Sequence, residues 1–384
     1  MQNTKFLPHE QALPKAQRTA ASDLTLASPP GFDHFTYNSV RHDLPGRERT
    51  LGMDAKRAPH EQILSIVQGF WQARALAVAT ELGLAEFLAA GPLHIDELAS
   101  RTNTNASALF RLLRALESIG IFTQTSSRVF SNTLTSECLR KEVSGSQWPT
   151  VVHCLSKGSG PLEGWDALEY AVRTEMSSIE KVYGFDFWEV LRRNPQASEA
   201  MNGAMRSASA AMTPVVTAAY KWSQLPVIAD IGGGIGTQLV AILDASPSAR
   251  GILFDKPHLR AESIFHDRME IISGNFFRSV PKDADGYLLR FILHDWADAD
   301  VAAILDSLRR TMKPTARLIV VEAVIPEGPV FHFGKWTDLQ MLVCVGGRER
   351  TETEYRTLLA GAGFALQEVL GTDSPLSLLV ATPR

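Results

Sequence analysis

Val227–Asp255, VIADIGGGIGTQLVAILDASPSARGILFD, is the stretch that decides the fold. Val227 to Ile231 is a short apolar run ending in glycines, and Thr237 to Leu243 has the pattern of a helix. Gly232, Gly233, Gly234 and Gly236 therefore form a strand-to-helix turn, where backbone can approach a ligand closely. Ile252 to Phe254 reads as a second buried strand. Asp255 ends it at the edge where an open parallel sheet binds nucleotides, and an acid there suits a ribose diol. Its place 25 residues after Asp230 fits a βαβ unit.

The order of the glycines narrows the ligand. The dinucleotide fingerprint G-x-G-x-x-G would need a small residue at position 239, where the chain has Leu239, and no G-x-x-x-x-G-K-[ST] phosphate cradle occurs. Asp230, just ahead of the glycines, would repel a pyrophosphate but could hold a cationic amino group, directly or through water. That favours S-adenosylmethionine over NAD or ATP. The bland alternative is a tight connection with no ligand.

A chain of 384 residues, 45% hydrophobic, is long enough for more than one domain with real cores. A formal net charge of −4 gives no global pull toward nucleic acid or anionic membrane. Cys138, Cys154 and Cys344 are scattered without metal or redox spacing, and no metal is expected. No run reaches a membrane span and no signal-peptide core opens the chain, so a cytoplasmic protein is the default.

Four segments follow. Residues 1–55 mix Pro, Ser, Thr, Arg and His without periodicity and read as a disordered extension. Residues 56–145 are helical: Ile63, Val67, Phe70 and Trp71 recur at helix spacing. IDELASRT is a short helix, Asn105 or Ser107 can cap the next, and Leu109 to Ile119 is amphipathic before a hairpin at Val129-Phe130. Helix, turn, helix, hairpin is a winged helix. Arg111 and Arg114 would sit on its recognition helix, but without a clustered basic surface a dimerisation module fits better than a DNA reader. Residues 146–220 form a helical connector rich in aromatic and Met residues, most of them core. A subset including Trp188 and Met205 is expected to line an acceptor pocket. Residues 221–384 alternate strands and helices as a doubly wound α/β sheet ending in an antiparallel hairpin.

Within that last segment, ISGNFF puts Asn275 and Phe276 after the third strand, where an amide can meet an adenine and an aromatic ring can cover it. The chemistry is expected in YLLRFILHDWADAD: a buried strand stopping at His294-Asp295-Trp296 presents an imidazole, the side chain able to accept a proton near neutrality. The alternative is a capping role, with Asp295 or Asp298 capping the next helix. Glu322 ends the fifth strand and Glu349 lies just ahead of the last helix. A carboxylate beside an imidazole fixes its tautomer and stabilises the imidazolium, although Glu349 could instead pair with Arg348 or Arg350.

Across about residues 60–384, the motifs DIGGGIG, FDKPH, SGNFF, LRFILHDW, VVEAVIP and GGRERTETEY stand in order. Together they resemble the S-adenosylmethionine-dependent O-methyltransferases of the plant caffeic-acid and hydroxyindole type, with bacterial and fungal relatives. The resemblance implies a Rossmann-like, seven-stranded methyltransferase sheet behind a winged-helix dimerisation domain, and a homodimer. It implies methyl transfer to a phenolic or enolic hydroxyl of a small acceptor. His294 would be the general base, flanked by Glu322 and Glu349. Asp255 would bind the ribose, Asn275 and Phe276 the adenine region, Arg290 the cofactor, and Met341 would lie against the acceptor. Two rivals are a non-methylating cyclase or pericyclase on the same fold and a DNA-binding regulator.

Overall fold

The computed structural model describes residues 58–257 and 263–384; the expected extension, residues 1–55, lies outside them. Ten strands are described. β1 (Leu93–His94), β2 (Phe122–Ser126) and β3 (Val129–Asn132) form a small sheet in the order β1-β3-β2. β4 (Val227–Ile231), β5 (Arg250–Asp255), β6 (Met269–Ser273), β7 (Gly286–Arg290), β8 (Arg317–Glu322), β9 (Phe364–Gly371) and β10 (Ser377–Pro383) form a seven-stranded sheet in the order β6-β5-β4-β7-β8-β10-β9. β4 to β8 pair in parallel, while β10 runs antiparallel to both β8 and β9.

The strands are apolar because both faces of the sheet are covered. Ala229 and Ile231 of β4 enter one core with Val301, Ile304 and Leu308 of the helix Asp298–Thr311 and Tyr355 and Leu359 of the helix Glu352–Gly361. Ile228 enters the other, with Leu239 and Ile242 of the helix Thr237–Ala245 and Val216 of the long helix Pro195–Ala218. The strand order reverses at β4, between β5 and β7, which opens a crevice beyond the carboxyl ends of the strands, the usual ligand position in such sheets.

The N-terminal segment has its own core, with Leu84, Ile95, Leu98, Leu113, Phe122 and Phe130 fully enclosed. IDELASRT is the helix Ile95–Thr102, and Asn105 caps the next helix, Ala106–Glu117, by accepting from the amides of Ser107 and Ala108 at 3.0 Å each. β1 adds a third strand to the hairpin that the sequence suggests. Arg114 lies 5.7 Å from the Phe110 ring centre, so its guanidinium stacks on its own helix. No helix among the described residues is long and apolar enough to cross a membrane.

One boundary departs from expectation. β7 stops at Arg290, four residues before His294, because Phe291 takes φ +56° and turns the chain into a short 3-10 turn, Leu293–Asp295. A bulky residue in that region costs on the order of 1–3 kcal/mol, so surrounding contacts must impose it. The buried Glu322 carboxylate supplies them: its Oε1 accepts from the amides of Ile292 and Leu293 at 3.1 and 2.9 Å. His294 is therefore carried by a turn, not by a strand.

Candidate active site

The glycine loop leaves β4 at the crevice. Gly232 has φ +75°, and a Cβ there would stand 2.4 Å from Ile292 Cδ1, so the loop packs directly on the turn that carries His294. A Cβ on Gly233 would stand 2.5 Å from Asp230 Oδ2. Asp255 shares in shaping the loop: its carboxylate accepts from Gly234 N at 2.8 Å and from Lys256 N at 2.6 Å.

Asp230 is buried and its Oδ2 has no hydrogen-bond partner among the described residues. Burial pushes its carboxyl up to about 7 against the opposing pull of the Arg290 guanidinium. Arg290 donates through Nη1 to Ser209 Oγ at 3.1 Å and to Thr213 Oγ1 at 3.0 Å, while Nε and Nη2 are buried without partners. An unsatisfied acid and two unsatisfied cationic donors side by side match a zwitterion, such as the ammonium and carboxylate of a methionine moiety.

Phe276 lies against the same loop, its Cε1 3.7 Å from where a Gly232 Cβ would be, and meets Trp296 edge-on with ring centres 6.2 Å apart. Asn275 is exposed, and its Oδ1 accepts from Phe277 N at 2.9 Å, so its carbonyl closes the turn after β6. Trp188 lies near the end of β5, with Lys256 Nζ 5.9 Å from its ring. Met205 is half exposed on the long helix, in line with Ser209 and Thr213 at successive four-residue steps. Met341 is half-buried on the helix Gly334–Cys344, four residues beyond Thr337.

The three expected acid-base residues converge. His294 Nδ1 lies 2.8 Å from Glu349 Oε1 and 3.5 Å from Glu322 Oε2, and all three side chains are buried. An ionised carboxylate can only accept, so Nδ1 carries the hydrogen and Nε2 is the nitrogen that holds a lone pair when the ring is neutral. Thr337 Oγ1 donates to Glu349 Oε1 at 3.1 Å and Glu349 N donates to Asp338 Oδ1 at 3.0 Å, which fixes the carboxylate from both ends. Phe291 stacks on the imidazole at 5.4 Å.

Burial pushes the His294 imidazolium toward losing its proton. The charge of Glu322 and the hydrogen bond donated to Glu349, helped by Asp295, outweigh it and raise the group to about 10. Burial, relieved in part by His294, raises Glu322 to about 7. The ligand atoms of His294, Glu322 and Glu349 lie within 4.8 Å of one another; Glu322 Oε1 accepts two amides and Glu349 Oε1 accepts Nδ1 and Thr337, while Oε2 of each carboxylate is buried without a hydrogen-bond partner among the described residues.

The capping alternative fails here. Neither Asp295 nor Asp298 caps the helix that follows: its N-cap is Ala297, with no side-chain bond. Asp295 turns instead toward His294 Nε2 at 3.6 Å, and Asp298 pairs with Arg350 at 2.7 Å. Arg350, Thr337 and Asp338 are members of the site that the linear pattern did not single out. The adjacent glycines of GGRER, which permit close backbone approach, were the available signal.

Comparison with known proteins places this geometry. Residues 165–365 match the model of the O-methyltransferase domain, and residues 64–142 that of the O-methyltransferase dimerisation domain. A phenazine O-methyltransferase of Lysobacter antibioticus is 39% identical over 84% of this chain and 95% of its own. The structure of mitomycin 7-O-methyltransferase superposes with a TM-score of 0.77 at 35% identity, covering 85% of this chain and 98% of that one. An O-methyltransferase from neocarzinostatin biosynthesis, solved with S-adenosylmethionine and 2-hydroxy-5-methyl naphthoic acid, gives a TM-score of 0.70 at 31% identity over 81% of this chain and 96% of that one. The chain belongs to the S-adenosylmethionine-dependent O-methyltransferase family of the plant type and is similar to bacterial members named for phenazine and for mitomycin biosynthesis.

Proposed function

We propose that His294 is the general base with which this S-adenosylmethionine-dependent O-methyltransferase deprotonates a phenolic or enolic hydroxyl of a small aromatic acceptor. The observation that carries this reading is the 2.8 Å bond from His294 Nδ1 to Glu349, on a turn packed against the glycine loop. The cofactor supplies an electrophilic methyl on a sulfonium. Asp230 and Arg290 hold its amino-acid end, Asp255 the ribose, and Phe276 covers the adenine region with Asn275 beside it. Trp188, Met205 and Met341 contribute to the acceptor wall. Relatives named for phenazine, mitomycin and hydroxybenzoate chemistry support a planar hydroxylated acceptor.

With Nδ1–H held by Glu349, Nε2 takes the acceptor proton, and Glu322 and Glu349 stabilise the imidazolium that forms. A neutral ring is needed at that moment, and a cation bound at the adjoining loop favours it, because like charges disfavour the imidazolium. Positioning supplies most of the acceleration, and the base adds about 10²–10⁴-fold. The dimerisation domain supports a homodimer, and the free cysteines fit a reducing cytoplasm.

His294→Ala tests the assignment. Methyl transfer to a phenolic acceptor is expected to fall by about 10²–10⁴-fold with cofactor affinity nearly intact, and the loss should ease at high pH as the phenol ionises unaided. Because His294 is raised by its carboxylates, the parental rate should climb with pH on a limb above the ordinary imidazole value. Transfer at the parental rate in the Ala variant would remove His294 as the base. Acceptor turnover without demethylated cofactor would instead indicate pericyclic chemistry.

A further inference from the structure

We propose that Arg350 is a positioning residue for methyl transfer, clamping the turn that carries His294 and the loop segment that carries Glu349 into one rigid unit. Arg350 is only 1% exposed. Its Nη1 donates to Leu293 O at 3.1 Å and Arg348 O at 3.2 Å, and its Nη2 donates to Trp296 O at 3.0 Å. Nε and Nη2 reach Asp298 Oδ1 at 3.1 and 2.7 Å. The guanidinium therefore holds the carbonyls on either side of His294-Asp295, and it does so from the residue next to Glu349.

The neighbouring backbone repeats the clamp. Arg348 N donates to His294 O at 2.9 Å. Gly347 lies so close that a Cβ would come within 2.0 Å of the same carbonyl, which leaves no room for a side chain. Carbonyls 293, 294 and 296 are thus all bound by residues 348–350, and the two ends of the His294–Glu349 bond are fixed to each other independently of that bond. Stability alone explains such a burial poorly. The one charged partner among the described residues, Asp298, is 60% exposed and screened by water, a weak return for enclosing a cation. Lysine cannot replace the fork, because a single ammonium cannot span three carbonyls and a carboxylate at once.

This inference rests on His294 being the base, and the test separates the two. Arg350→Lys is compared with His294→Ala and with Arg268→Lys. Arg268 is a guanidinium that also binds three carbonyls, those of Leu243, Ser246 and Ala249, but lies beside β6 and outside the acid-base cluster. Each full-length variant is measured for thermal unfolding, affinity for S-adenosylhomocysteine, kcat and KM with a phenolic acceptor, and the pH dependence of kcat.

Arg350→Lys is expected to lower kcat by about 100-fold, the scale of a misplacement near 1 Å, with KM and cofactor affinity within a few-fold. The pH limb should move down toward ordinary imidazole as the contact with Glu349 loosens. Glu322, Glu349 and Asp295 are the acids that face the ring, and Lys256 faces Asp295. Arg268→Lys should lower the unfolding temperature and leave kcat and the limb in place. Methylguanidinium should partly restore kcat in Arg350→Ala. If Arg350→Lys does not fold, Asp298→Asn decides, with an expected loss of several-fold in kcat at unchanged KM.

A folded Arg350→Lys with parental kcat and an unmoved limb overturns the proposal, as does a loss of rate matched by a loss of cofactor-binding sites. If His294→Ala retains the parental rate, the base assignment fails first, whatever Arg350 does.

Discussion

Burying an acceptor without a partner costs on the order of 1–3 kcal/mol, and more for an ionised group, so the orphaned oxygen of Asp230 needs an occupant to justify it. Burial raises this carboxyl from 3.8 to about 7. A raised acid favours the protonated folded state, so its ionisation erodes stability as pH climbs from about 4 toward 7. A ligand ammonium reverses the preference by selecting the carboxylate. Affinity for S-adenosylhomocysteine, which keeps the amino-acid end but carries no sulfonium, should therefore rise with pH through about 7 and level off above it. Asp230→Asn should bind more weakly and flatten that rise. Calorimetry across neutrality decides: a parental affinity independent of pH would mean that Asp230 does not meet the ammonium.

At the scale of elements, the long helix Pro195–Ala218 has a task that its composition conceals. Ser209 and Thr213, one turn apart, accept from Arg290 on the end of β7, and so orient the guanidinium whose remaining donors are buried without partners among the described residues near Asp230. A hydrogen bond to a charged group is worth about 1.5–3 kcal/mol, so Ser209→Ala with Thr213→Val should weaken cofactor binding about tenfold or more, and the helix should persist because valine keeps the branched shape of the buried Thr213 side chain. Unchanged calorimetric affinity in the double variant would show that Arg290 needs no such anchor. The sequence carried the strands and helices here to within a few residues, because periodicity and glycine turns are local signals. The exception is instructive. LLRFIL is apolar but for Arg290 and reads as strand up to His294, yet β7 ends at Arg290, because Glu322, 30 residues away from Ile292, draws the amides of Ile292 and Leu293 into a turn. The triad His294, Glu322 and Glu349 was legible because each follows a strand end or precedes a helix. Arg350 was not, since its partners at 293, 296 and 298 are joined to it only by tertiary docking.

At the scale of the molecule, the helix Pro59–Glu81 is out of balance in an isolated chain. Ile63, Ile66, Val67, Phe70 and Trp71 fall at steps of three and four, which is one helical face, and that face points outward: Phe70 is 61% and Trp71 59% exposed. Burying large apolar side chains yields about 1.5–3 kcal/mol each, so five of them on one stripe are a strong drive to association. The match of residues 64–142 to a dimerisation domain identifies the kind of partner, a second copy related by a two-fold axis. The winged helix beside it lies within the same dimerisation-domain match, and two of its arginines, Arg114 and Arg128, stack on the Phe110 ring. We expect light scattering to give a dimer for the full chain at micromolar concentration. Ile66→Glu with Phe70→Glu should lower the mass to that of one chain while leaving the far-ultraviolet spectrum unchanged, because both side chains are exposed in the isolated chain and neither belongs to its core. A parental protein that stays monomeric as its concentration is raised would rule out the stripe as a dimer surface. A double variant that remains dimeric would move the interface to another face of the domain.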